Sequence, residues 1–169
     1  PYTGAEAIYI VAKALVSTWF SPKAAELSLE DYKPGDKLIP FKVLDGTFKG
    51  SELVGIRYHQ LIPWFKPLEG DAFRVIPGDY VSIDEGTTGI VHIAPTFGAD
   101  DKKVATAAGI PPMMVLDKNG NMQPQIDHDG RFYPLEDLDS EYVKTHVSPE
   151  YKEYAGRFVK NAFDDSLPK

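Results

Sequence analysis

The chain has 169 residues, with 18 Lys and Arg against 25 Asp and Glu for a net charge of −7, and it has 14 glycines, 14 prolines and no cysteine. That length supports one domain with a genuine core, and the lack of cysteine excludes a disulfide framework and a thiolate metal site. No apolar run is long enough to cross a bilayer, the first residues do not read as a signal peptide, and an acidic balance without a basic stripe argues against a free-standing nucleic-acid binder.

In chain order, residues 7–11 read as a strand and 12–20 as a short helix that Pro22 breaks. Residues 27–40 are turn-rich, with Pro34-Gly35-Asp36 as a hairpin-type connection. A short strand over 41–44 turns at Asp45-Gly46, and 50–61 reads as a strand or bend before the Pro63-Trp64 corner. Residues 72–76, 80–83 and 90–94 form a strand series, the first two joined by Pro77-Gly78-Asp79. In the third, Ile90, His92 and Ala94 alternate with Val91 and Ile93, the period of a half-buried strand. Pro95 ends it, because proline lacks a ladder donor and fixes its own φ. Gly98 and Ala99 allow a close turn, with Asp100 or Asp101 at the N-cap of a helix over 101–108 that stops at Gly109.

Further on, 113–116 and 122–125 flank Asn119-Gly120, a strong hairpin signal. Asp127-His128-Asp129-Gly130 reads as a turn and 141–146 as a helical turn. There is no internal repeat, low-complexity tract or interior linker. The sum is a β-rich α+β domain, expected to be a distorted β-barrel with peripheral helices.

The residues that stand out have plain structural readings. On local sequence alone Asp101 is a helix cap, its oxygen accepting orphan amide bonds. His92 on an alternating strand reads as a satisfied core histidine, and Phe97-Gly98 as a packed turn. Asp127, His128 and Asp129 offer metal-type ligands, but adjacent residues project in different directions and Gly130 favours a turn; no metal site is expected. His59 and His146 have no partner at an informative spacing. Neither a Gly-x-Ser-x-Gly elbow nor a His-Glu-x-x-His pair occurs. Trp19 and Trp64 read as packing aromatics.

One stretch carries more than its pattern. Gly89-Ile-Val-His-Ile-Ala-Pro-Thr-Phe-Gly-Ala-Asp-Asp101 resembles the signature of the editing domain of isoleucyl-tRNA synthetases. A second block, Phe48-Lys-Gly50-Ser-Glu-Leu53-Val-Gly55-Ile-Arg-Tyr58-His-Gln-Leu61, is similar to the Gly-x-x-Leu-x-Gly-x-x-Tyr-x-x-Leu run of the same insertion, which valyl and leucyl relatives share. The resemblance continues through 109–120 to 154–162. His92, Ala94-Pro95 and Phe97-Gly98 favour the isoleucyl member. Two features depart from the pattern: no threonine-rich strand followed by Pro-Trp-Thr-Leu-Pro occurs, and Glu85-Gly-Thr-Thr-Gly89 has one residue more than the usual acidic-Gly-Thr-Gly turn. Neither the ATP-site histidine motif nor the mobile lysine loop of a whole synthetase is found.

The resemblance implies a single editing domain over residues 1–169, truncated on its N-terminal side, with the editing-domain fold of the valyl, leucyl and isoleucyl enzymes. The implied activity is hydrolysis of the ester of mischarged valyl-tRNA, weak or inactive in this piece by itself. Asp101 aligns with the aspartate that holds the substrate's α-ammonium, with Asp100 beside it to share capping and binding. His92 is placed against the substrate side chain as a size filter, and Phe97 and Gly98 as a wall for the terminal adenosine. No cofactor is expected in this domain. The implied partners are the 3′ end of an aminoacylated tRNA and the remainder of the parent synthetase, in the cytoplasm and away from membranes. The competing expectations are the editing domain of a valyl or leucyl relative and a non-catalytic β-rich docking domain.

Overall fold

The computed structural model describes residues 5–84 and 86–159, which fall into two compact units, one from residues 5–54 and 77–92, the other from residues 55–76 and 93–159. In the first unit the expected helix over 12–20 forms as a 3-10 turn, Lys13–Leu15, running into α1, Val16–Trp19. Buried Leu15 and Ala24 anchor it, and Phe20 packs on Phe41 with ring centroids 5.0 Å apart. Many apolar side chains of this unit face out: Ile8, Val43 and Leu44 are exposed. The segments 7–11 and 41–44, expected as strands, run without a ladder partner among the described residues.

The second unit holds the main core. Phe65, Val115, Leu138, Tyr142 and Tyr151 are buried together, ringed by partly buried Trp64, Phe132 and Leu116. The Trp64 ring meets Phe132 edge-on at 5.1 Å, so the expected Pro63-Trp64 corner inserts an aromatic into the core. Val115 comes from β1, Met114–Leu116, which pairs antiparallel with β2, Met122–Pro124, in the register Val115↔Gln123. Asn119-Gly120 turns the chain as expected, with Gly120 at φ +83° where a side chain would be strained. Buried Asp117 organises that turn: Oδ1 accepts the amides of Asn119 at 2.9 Å and Asn121 at 2.8 Å, and Oδ2 accepts from Gln123 Nε2 at 3.1 Å. These bonds, the Asn121 amide foremost, hold its carboxyl below the usual carboxylate range.

Two helices complete the unit. α2 spans Ala99–Ala107 and ends as expected at Gly109, φ +68°: the amides of Gly109 and Ile110 return to the carbonyls of Thr106 and Ala105. The expected helical turn near 141–146 is α3, Ser140–His146, whose N-cap Asp139 accepts from the amides of Glu141 and Tyr142.

The expected strand series is the main correction. Among the described residues the only ladder beyond single bridges is β1–β2, and that two-stranded sheet is open, so it does not make a closed barrel. Segment 72–76 reaches only a bridge between Arg74 and Arg57, because Phe73 at φ +56° interrupts the extended run. In 80–83 and 90–94, local partners compete with a ladder. The Val81 amide turns back to the Gly78 carbonyl, the Ile90 amide meets Thr88 Oγ1, and the Ala94 amide is taken by a side chain. Residues 50–61 start as a 3-10 helix, Gly50–Leu53.

Candidate functional site

The signature stretch builds a small closed loop in the second unit. The Ala94 carbonyl accepts the amides of Phe97 and Gly98, both at 3.0 Å, which folds Pro95-Thr96 into a tight turn. The Ala94 amide donates to Asp101 Oδ2 at 2.9 Å, so both polar groups of one residue are used to close the loop. Thr96 Oγ1 donates to the Met113 carbonyl at 2.9 Å and pins the turn beside the start of β1. The chain then enters α2, the Gly98 carbonyl accepting the Lys102 amide at 2.8 Å.

Neither aspartate is the helix cap. The N-cap is Gly98, with no side-chain cap bond, and Asp100 and Asp101 lie inside the first turn. Their charges there favour the positive end of the helix dipole. Asp101 holds the third helical position, where an acidic side chain reaches back past the helix start; here it reaches Ala94. It is half-buried, and among the described residues its Oδ1 makes no hydrogen bond. Asp100 is exposed, Gly98 half-buried, and Phe97 is 61% exposed beside them. A half-buried carboxylate fixed through one oxygen and open at the other can take a cation or an ammonium group by a charge-assisted bond.

Asp101, Asp100, Gly98 and Phe97 are thus brought together on one loop and helix start. His92 is exposed and is the last residue of the first unit, so the expected buried strand histidine is not what the structure contains. Its neighbours Ile90 and Val91 are exposed alike, 49% and 43%, so the alternation read from sequence does not produce a buried face there. Thr87 and Thr88 spend their hydroxyls locally: Thr87 Oγ1 donates to the Asp84 carbonyl at 2.8 Å and Thr88 Oγ1 to the Ile90 carbonyl at 3.0 Å. Trp19, expected only as a packing aromatic, donates its indole N–H to the Thr87 carbonyl at 2.6 Å.

The Asp127–Asp129 turn forms with its carboxylates engaged. Asp127 Oδ1 accepts the amides of Asp129 and Arg131, both at 2.9 Å, and Asp129 Oδ2 accepts from Arg131 at 3.0 Å. Sequence reasoning missed the Ala94–Asp101 closure and the Thr96 tie. The available signal for the first was an acidic residue three places after a glycine that can end a turn.

No family model matches the chain, and no solved structure matches it. It is 59% identical over 167 residues to Isoleucine–tRNA ligase of Bacteroides fragilis, covering 98% of this chain and 14% of that protein. It is 52% identical over 166 residues to Isoleucine–tRNA ligase of Porphyromonas gingivalis, covering 97% of this chain and 14% of that protein. A more distant relative is the cytoplasmic Isoleucine–tRNA ligase of Arabidopsis thaliana, 36% identical over 145 residues, covering 86% of this chain and 10% of that protein. The chain therefore spans only 14% of the length of these Bacteroides and Porphyromonas relatives.

Proposed function

Because the chain is homologous to a segment of isoleucine–tRNA ligases, we propose that it is the part in which the ester of valine wrongly joined to the tRNA is hydrolysed. The observation that carries the proposal is the Asp101 carboxylate, held by the Ala94 amide through one oxygen and open at the other, beside exposed Phe97. Such a domain answers a limit of recognition. A pocket that accepts isoleucine cannot strongly reject valine, since one missing methylene changes binding by only about 1–3 kcal/mol; isoleucine against valine is the usual example of that limit. A second, smaller site that hydrolyses the valyl ester and refuses the isoleucyl one multiplies the discrimination.

The chemistry asks little of the protein. An aminoacyl ester is already activated, so the site needs an ammonium anchor, a placed water and donors for the developing oxyanion. Asp101 is the proposed anchor: pairing its carboxylate with the α-ammonium fixes the ester carbonyl. Water adds to that carbonyl, the C–O bond to the terminal ribose breaks, and a proton passes to the departing ribose oxygen. Free valine and an uncharged tRNA end result, with no cofactor. His92 is proposed to limit the size of the amino-acid side chain, Phe97 and Gly98 to face the terminal adenosine, and Asp100 to bind beside Asp101. With a net charge of −7, the chain does not attract tRNA over distance; the longer protein would deliver the 3′ end, in the cytoplasm. Among the described residues no helix is long and apolar enough to cross a membrane.

The test is Asp101→Ala in the full-length protein, assayed with purified valyl-tRNA. Loss of the anchor should cut deacylation by about 10²-fold, the scale of misplacing a substrate by 1 Å, while isoleucine activation is unchanged. Near-normal deacylation would leave Asp101 as a loop-closing residue only.

A further inference from the structure

We infer that Gly98 is a positioning residue: it is glycine because the space of its missing side chain is filled by the Asp101 carboxylate. Its backbone does not demand glycine. At φ −99° and ψ 127° it lies in the extended region open to every L-residue. Nor does its place in the helix, since the N-cap is where Ser, Thr, Asp or Asn is preferred. What excludes a side chain is Asp101. A Cβ built on Gly98 would stand 2.7 Å from Oδ2, 2.9 Å from Cγ and 3.1 Å from Cβ of Asp101. All three contacts belong to one short side chain whose Oδ2 is already tied to the Ala94 amide at 2.9 Å. The carboxylate can escape only by rotating off that amide, and the half-buried Ala94 N–H then loses its partner.

Gly98 and the Ala94 amide therefore form the two sides of a seat. One leaves room for the carboxylate and the other holds one of its oxygens, while the second oxygen makes no hydrogen bond among the described residues. The inference rests on the reading above only for what that second oxygen does; the seat itself is independent of any ligand.

This makes the effect of a serine at position 98 opposite in sign to the usual rule. A serine at an N-cap ordinarily stabilises or is neutral relative to glycine. In the full chain, Gly98→Ser should instead lower the midpoint of thermal unfolding by about 3 °C. The Ala94 amide proton should move upfield as its charge-assisted bond is lost, and its hydrogen exchange should quicken roughly tenfold. In an Asp101→Ala background, where the seat is empty, the same serine should be neutral or stabilising. If Gly98→Ser alone fails to fold, a folded Gly98→Ser/Asp101→Ala double variant supports the inference, and failure of both overturns it. A neutral or stabilising serine in the otherwise unchanged chain, or equal loss in both backgrounds, would also overturn it. None of these readouts involves tRNA, so a failed deacylation assay would bear on the proposed reaction and leave this result standing.

Discussion

In the proposed reaction His92 and Asp101 have different parts, and substitutions should separate them. One carboxylate oxygen of Asp101 is fixed at 2.9 Å from the Ala94 amide; in the proposed roles Asp101 pairs with a charge and His92 supplies only bulk. Replacing His92 by Ala in the full-length protein should leave valyl-tRNA hydrolysis near normal and permit hydrolysis of correctly charged isoleucyl-tRNA. Removing an imidazole vacates more volume than the methylene to be refused, and that methylene is worth only about 1–3 kcal/mol of discrimination. A variant that spares isoleucyl-tRNA would assign size selection to other residues. At this scale some roles were legible in the residues themselves. Gly109 and Gly120 announce positive φ because a turn or helix end there requires it. The closure of Asp101 on Ala94 was not legible, since it depends on how Pro95-Thr96 turns, through the Phe97 and Gly98 amides on the Ala94 carbonyl and the distant tie from Thr96 to Met113.

The β1–β2 hairpin is the element whose sequence and structure agree most fully, and its turn rests on one carboxylate. Asp117 accepts from the Asn119 and Asn121 amides and from Gln123, bonds that favour the ionised form. Its folded pKa is depressed, so the sign of the linkage is set. The stabilisation is present above the ordinary carboxylate range and is lost as pH falls through the depressed folded value. Acid titration followed at the Asn119 and Asn121 amide protons should show both moving together below the ordinary range. Independent titration of the two would detach the turn from Asp117. The expected strands over 72–76, 80–83 and 90–94 are rich in apolar residues, as β1 is, yet they pair differently. Periodicity reports which side chains avoid water but not which backbone donors are taken first. Phe73 at positive φ, Thr88 beside Ile90 and Asp101 beside Ala94 divert those donors.

At the scale of the whole molecule, burial is uneven. The second unit contains the Phe65, Val115, Leu138, Tyr142 and Tyr151 core, whereas in the first Ile8 is 82% and Val43 71% exposed. A chain with that core should fold cooperatively by itself, yet deacylate valyl-tRNA poorly. It carries no threonine-rich run to supply further hydroxyls near the ester, and its −7 charge gives tRNA no attraction. Robust hydrolysis by these residues alone, dependent on Asp101, would show that the added hydroxyls are dispensable. The central claim, that the Asp101 loop holds an aminoacyl end small enough to be valyl, is tested most directly by binding. The 169-residue chain would be titrated with non-hydrolysable valyl-adenosine and isoleucyl-adenosine analogues while backbone amide shifts are recorded. The account predicts saturable changes at Ala94, Phe97, Gly98 and Asp101 with the valyl analogue, abolished by Asp101→Ala, and binding of the isoleucyl analogue weaker by roughly tenfold or more. Equal binding of the two, or changes confined to residues outside this loop, would contradict it.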